Sequence, residues 1–304
     1  MMRVKAIAIV RRLVQPALLL WPLALAGCQP AVLDPQGATG MAEKQLLIDS
    51  MAIMLAIVIP TIVLILGFAW WFRASNGRAK YRPDFTYSGQ IELVVWGVPL
   101  LTIMLLGGVT WVASHELDPA KPIVSNVKPL EVQVVSLDWK WLFIYPEQRV
   151  ASVNQLVIPV GTPVHFSLTS ASVMNSFFVP QLGTQIYTMS GMSSQLNLIA
   201  DHPGTFPGLS SHYSGDGFSD MHFDTRSLPA DDFARWVQGA RGAGETLDRD
   251  AYVKLEWQSS KVKPYTYRDA DPELFNKIVS HEIPAAEGPH DGFPSVNVSN
   301  RSEH

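Results

Sequence analysis

Cysteine is almost absent: Cys28 is the only one in 304 residues. A lone thiol excludes an internal disulfide and any site needing two thiolates from this chain. Charge is also scarce, with 16% of residues charged against 47% apolar. The formal net charge of −4 lacks the basic excess that nucleic-acid binding requires as a main role. No glycine-rich phosphate loop, nucleophile–base constellation or paired-carboxylate site is visible. Chemistry performed by this chain alone therefore has no evident seat.

The apolar residues concentrate before residue 113. Arg3, Lys5, Arg11 and Arg12 precede "LVQPALLLWPLALA", and the run ends in "LAGC", residues 25–28. That layout is a signal peptide of the bacterial lipoprotein type, which predicts cleavage after residue 27 and lipidation of Cys28. The alternative, a first membrane helix with an incidental cysteine, needs a longer run, because about 14 apolar residues fall short of a span. Loss of residues 1–27 takes away four basic and no acidic side chains, leaving a more acidic mature chain.

Two uncharged stretches are long enough to cross a bilayer as helices, "MAIMLAIVIPTIVLILGFAWWF" at 51–72 and "LVVWGVPLLTIMLLGGVTWVA" at 93–113. Trp70, Trp71 and Phe72 close the first, where aromatic residues favour the headgroup region. Between the spans, Arg73, Arg78, Lys80 and Arg82 face only Asp84 and Glu92. The positive-inside rule makes this loop cytoplasmic and both ends of the mature chain external, in agreement with a lipidated N-terminus.

Beyond the linker "SHELDPAKPIVSNVKP" the period changes to two. "LEVQVVSL", "TPVHFSLTS", "QLNLIA" and "MHFDT" read as short strands between Gly and Pro turns, predicting an antiparallel β-sandwich or barrel. "PADDFARWVQGAR" and "DPELFNKIVSH" read as short helices with acidic starts and basic ends. The expected fold class is membrane-anchored α+β, a two-helix transmembrane hairpin followed by a periplasmic β-sandwich and short C-terminal helices. Its segments are a leader 1–27, a periplasmic stretch 28–45, a hairpin 46–113 with spans near 50–72 and 93–113, a sandwich 114–228, a helical arm 229–283 and a disordered tail 284–304.

Three further stretches carry a family resemblance: "SLDWKWLFIYPEQ" at 136–148, "SVMNSFFVPQLGTQIYTMSGM" at 172–192 and "GTFPGLSSHYSGDGFSDMHF" at 204–223. With the hairpin, they resemble subunit 2 of the haem–copper terminal oxidases, whose sandwich is a cupredoxin. In the cytochrome c-oxidising members the last stretch reads C-x-x-x-C-x-x-x-H-x-x-M, with a histidine upstream. Its bridging thiolates hold a copper pair. Laid on this chain, the cysteine positions are Ser210 and Ser214, the histidine positions are Phe218 and Asn175, and Met221 survives. His212 sits where the family uses a backbone carbonyl. A protonated serine hydroxyl is no substitute for a thiolate. This loss resembles the bo-type ubiquinol oxidases, which draw electrons from membrane quinol.

The resemblance implies an accessory, non-catalytic subunit with no metal or other cofactor of its own. Haems and copper are expected in a large subunit 1, ubiquinol is the complex's substrate, and the partners are subunit 1, other small oxidase subunits and membrane lipid. Two other readings fit the topology, a copper-bearing electron-entry subunit and a membrane-anchored periplasmic lipoprotein receptor. His212 and His222 lack the spacing of a zinc site. Trp139 and Trp141 alternate as strand packing does, with an electron relay as the alternative. Glu92 reads from the sequence as an interfacial acid marking a helix end, while the resemblance implies proton entry toward the large subunit.

Overall fold

The structure, a computed structural model, describes residues 31–80 and 82–288. Two long helices come first, α1 (Ala38–Trp71) and α2 (Gly89–Glu116), with mean hydropathies of 2.8 and 2.1 over their most apolar windows. Both are long and apolar enough to cross a membrane, and those windows are unburied. At 1.5 Å per residue α1 is about 50 Å long, well beyond a hydrocarbon core of about 30 Å. It begins at Ala38, ahead of the expected start near residue 50, where the backbone of Gln36 and Gly40 docks on the following domain.

That docking is made by backbone. Gln36 N donates to Gln181 O (2.7 Å), Gly40 N to Leu182 O (3.1 Å) and Asp201 N to Gln36 O (2.9 Å). A Cβ on Gly37 would lie 2.1 Å from the carbonyl oxygen of Ile199, so this approach requires glycine. Beyond α2, Asn197 N donates to Pro119 O at 2.9 Å. Both outer ends of the hairpin are thus tied to one edge of the sandwich.

The strands follow in chain order: β1 (Leu130–Leu137), β2 (Lys140–Tyr145), β3 (Val150–Val153), β4 (Gln155–Pro159), β5 (Val164–Ser170), β6 (Asn175–Phe178), β7 (Ile186–Thr188), β8 (Ser194–Leu198), β9 (Gly204–Ser210) and β10 (His222–Leu228). The C-terminal arm adds α3 (Ala230–Arg241), β11 (Thr246–Leu247), α4 (Arg249–Glu256), β12 (Tyr265–Tyr267), β13 (Asp269–Ala270) and α5 (Leu274–Val279). One sheet runs β12-β3-β2-β1-β5-β8 and the other β4-β10-β9-β6-β7, while β11 and β13 form a small pair. The sheets are mixed rather than purely antiparallel: β1 pairs with β5 and β10 with β4 in parallel. Parallel neighbours need crossover connections, which alternation within single strands does not reveal.

Between the sheets lies an aromatic core. Trp141 meets Phe177 edge-on with centroids 5.5 Å apart and Phe223 at 5.6 Å, and Phe177 stacks on Phe223 at 5.3 Å. The other face of β1, β2 and β3 is apolar as well, through Val135, Leu137, Leu142, Ile144, Ala151 and Val153. Tyr252, Leu255, Leu274, Phe275 and Ile278 of the arm cover it. The arm is more than helices, since β12 extends the first sheet alongside β3. Asp248 caps α4 by accepting from Ala251 N at 2.9 Å. The expected disordered tail is ordered at its start, where Ala286 N donates to Ala171 O at 2.9 Å; residues 289–304 lie outside the described residues.

A buried lysine fastens the arm. Lys140 is 1% exposed, and its ammonium donates to Trp257 O at 2.7 Å and Ser259 Oγ at 2.6 Å. Burial pulls its pKa down to about 8, against the opposing attraction of Asp138 and Glu256. A lysine that titrates near 8 when folded and at 10.5 when unfolded leaves the unfolded chain with more bound protons between those values. Stability from this group therefore rises with pH across that window, by about 3 kcal/mol at ~1.4 kcal/mol per unit. Lys140→Met should remove that rise. Thermal unfolding of native protein and variant from pH 7.5 to 10.5, about the span between the two pKa values, should show a gap that shifts in favour of the native protein as pH climbs. Parallel curves would contradict the assignment.

Candidate functional site

The loop between β9 and β10 closes over one end of the aromatic core, opposite β6. Its position is set by pairing: Ser210 N donates to Met221 O at 3.1 Å, and β9 joins β6 through Phe177 and Ser210. Asn175, Ser210, Ser214 and Met221 are all buried.

Polar contacts tie these positions together. The Ser210 hydroxyl lies 3.2 Å from Asn175 Oδ1 and 3.1 Å from the His212 carbonyl oxygen, both acceptors for its one proton. Ser214 Oγ donates to Met221 Sδ at 3.9 Å. Asn175 Nδ2 donates to Val173 O at 3.3 Å. Thus 175, 210 and the carbonyl of 212 form one group, 214 and 221 a second, and the Ser210–Met221 backbone bond joins them. Phe218 is the exception. Its ring meets Tyr213, with centroids 5.6 Å apart, and only its carbonyl contacts the group, accepting from Met221 N at 3.0 Å.

The donor set is two hydroxyls, an amide, a backbone carbonyl and one thioether. Neutral hard oxygens do not suit a soft copper pair, and the surviving soft donor is Met221. These residues do not fit that group. The Ser210 hydroxyl is met by Asn175 Oδ1 and the His212 carbonyl and that of Ser214 by Met221 Sδ, so both buried hydroxyls have partners without an ion.

The two tryptophans serve packing. Trp141 is fully buried among Phe177 and Phe223. Trp139 adopts φ 64° and donates from Nε1 to Ser214 O at 2.9 Å. Gly217 lies against its indole, where a Cβ would come within 2.1 Å of the ring. His212 packs edge-on against Tyr187, with centroids 5.9 Å apart. His222 is exposed and lines a cavity of about 330 Å³ with Asp220 and Asp224. Among the described residues no group of three His, Cys, Asp or Glu side chains is placed to hold a metal ion.

Glu92 is far from this loop in sequence. It is exposed in the first turn of α2, and its N–H donates to Ser88 O at 3.0 Å. Cys28 lies outside the described residues. Sequence reasoning missed the support beside the loop, where Ser176 and Ser211 both donate to Gln185 Oε1. Hydroxyls and amides carry no recognisable spacing. Lys140 was also missed, although the alternation of β2 places it on the face of Leu142 and Ile144, which needs a cover.

Residues 130–228 match the family described as cytochrome c oxidase subunit II, periplasmic domain, and residues 241–281 match the COX aromatic rich motif. The chain is 48% identical over 258 residues to the cytochrome bo(3) ubiquinol oxidase subunit 2 of Pseudomonas aeruginosa, covering 85% of this chain and 78% of that one. It is 50% identical over 260 residues to the ubiquinol oxidase subunit 2 of Acetobacter aceti, covering 85% and 84%. Among solved structures, the periplasmic domain of subunit II of cytochrome oxidase from Bradyrhizobium japonicum matches with a TM-score of 0.37 and 24% identity, covering 40% of this chain and 98% of that one.

Proposed function

The chain belongs to the ubiquinol oxidase subunit 2 family, and from that membership we propose that it is the non-catalytic subunit 2 of a proton-pumping complex that oxidises ubiquinol and reduces oxygen. The observation carrying this reading is the exchange of thiolate and imidazole positions for Ser210, Ser214, Asn175 and Phe218, with the frame around them retained. A soluble cytochrome donor needs a relay on the outer domain, and a membrane quinol does not. The relatives' names favour the same side of that choice over a copper-bearing cytochrome c oxidase subunit.

In this reading the chain anchors and shapes the complex. The haems and copper belong to the large subunit 1, against which the two apolar helices pack. α1 and α2 span the bacterial inner membrane, with the basic loop in the cytoplasm and the sandwich in the periplasm. Cys28 is the lipidated N-terminus of the mature chain. Glu92, beside the cytoplasmic end of α2, feeds protons toward the large subunit, because a hydrated carboxylate at a channel mouth gathers and relays them.

Purified complex should turn over rapidly with ubiquinol and at background with reduced cytochrome c; the opposite preference would defeat the reading. Glu92→Gln should slow turnover while haem content stays constant, with Glu92→Asp milder. Unchanged turnover and pumping in Glu92→Ala across a pH series would reduce Glu92 to an interfacial residue. Intact-mass measurement should show loss of residues 1–27 and an added lipid mass, and a mature chain starting at unmodified Met1 would refute lipidation.

A further inference from the structure

The segment joining α1 to α2 holds a concentration of positive charge that the quinol-oxidase reading does not use. It borders an open cavity of about 930 Å³. Arg73, Arg78, Lys80 and Arg82 line it together with Trp71 and Phe72. All four cations are exposed, and none has an ion pair among the described residues. Asp84 is the only acid between residues 73 and 88. From these observations we propose that this cavity binds the phosphate headgroup of an anionic phospholipid from the cytoplasmic leaflet. The leaflet assignment rests on the orientation given above; the headgroup site does not.

The shape of the site follows from how α1 ends. Asn76 Nδ2 donates to Trp71 O at 2.5 Å, while its Oδ1 accepts from Arg78 N at 3.2 Å, pinning the turn against the helix terminus. Arg73 is held over the Trp70 ring at 4.9 Å, and it donates to Trp70 O at 2.7 Å and Ser75 Oγ at 3.1 Å. Those contacts use two of its five N–H donors and leave the rest for an oxyanion. Arg78, Lys80 and Arg82 supply further donors around the same space.

Two features select a lipid over a soluble anion. Trp70, Trp71 and Phe72 are the residues that settle at headgroup depth, so the cations stand where lipid phosphates lie. Trp71, Phe72 and Phe85 also give the cavity an apolar lining continuous with the exposed apolar surface of α1. Acyl chains can lie on that surface while the phosphate meets the guanidinium groups. Guanidinium–phosphate pairing is charge-assisted, and the same cations repel the ammonium of a zwitterionic headgroup, which favours an anionic one. A basic residue near an anionic surface contributes roughly fivefold in affinity, so three of them contribute on the order of 100-fold.

The test uses the full-length protein in detergent, titrated with phosphatidylglycerol or phosphatidylcholine of identical acyl chains and followed by native mass spectrometry. The native protein should retain phosphatidylglycerol preferentially. The triple variant Arg78→Gln, Lys80→Gln, Arg82→Gln should lose that preference by on the order of 100-fold. Arg73 stays in place because it holds the helix end, and unchanged circular dichroism would show that the variant is folded. Equal retention of the two lipids by native protein would overturn the proposal, as would an undiminished preference in the variant. Displacement of the lipid by excess inorganic phosphate would reveal a free-anion site instead and would also overturn it. So would loss of a partner subunit from the variant with lipid preference intact, which would mark the loop as a protein-docking surface. Orientation is read separately, by labelling Ser75→Cys in intact cells with a membrane-impermeant maleimide. Labelling above the parent chain would refute a cytoplasmic loop and its leaflet, while the lipid titration still decides the headgroup site.

Discussion

Six consecutive residues, Lys140–Tyr145, are buried on both faces, and the rest of the soluble domain is arranged around that strand. Trp141, Phe143 and Tyr145 point into the core between the sheets, while Leu142 and Ile144 point the other way. A strand with two apolar faces needs two covers. The second sheet supplies one through Phe177 and Phe223, and the arm supplies the other through α4 and α5. Full burial of a large apolar side chain contributes roughly 1.5–3 kcal/mol, so neither cover is dispensable. Lys140 shares the arm-facing side, and its ammonium makes the polar joint there. The fastening is costly in solvation, which is why the lysine titrates so low.

The same strand governs the loop after β9. Trp139, just before β2, holds the loop through Ser214 O and Gly217, and Phe177 carries β6 and Asn175 into place. The frame that would bring ligands together is therefore maintained by packing remote from the ligands themselves. Serine and asparagine sit within that frame because they find partners there, Ser210 in Asn175 Oδ1 and the His212 carbonyl, Ser214 in Met221 Sδ and Asn175 Nδ2 in the Val173 carbonyl. Phe218 shows the alternative outcome: an apolar side chain at a ligand position turns to Tyr213 and leaves the cluster.

Legibility in the sequence tracked periodicity. "LEVQVVSL" coincides with β1 because its first half alternates, with Leu130, Val132 and Val134 buried between partly exposed Glu131 and Gln133. β2 gives a weaker signal, since "KWLFIY" is apolar on both faces and its alternation does not separate buried from exposed residues. α4, eight residues long, was too short to show a helical stripe, although Asp248 is a recognisable cap. The early start of α1 was hidden because residues 38–50 are more polar than the span, and the tertiary backbone bonds of Gln36 and Gly40 beside that start have no sequence signal. At the loop, the family resemblance pointed to positions 175, 210, 212, 214, 218 and 221. It did not disclose the hydrogen bonds that now occupy them, because serine–asparagine pairs have no sequence signature.

The central claim is that this domain keeps a copper-binding frame while its own side chains cannot hold copper there. Copper content and visible absorption of the purified protein test it, measured on the native chain and on a variant carrying Asn175→His, Ser210→Cys, Ser214→Cys and Phe218→His. The account predicts no stoichiometric copper at this loop in the native chain. It predicts about two copper ions and a thiolate–copper absorption band in the variant, with Met221 and the carbonyl of residue 212 completing the set. Stoichiometric copper bound at this loop in the native protein would contradict the claim.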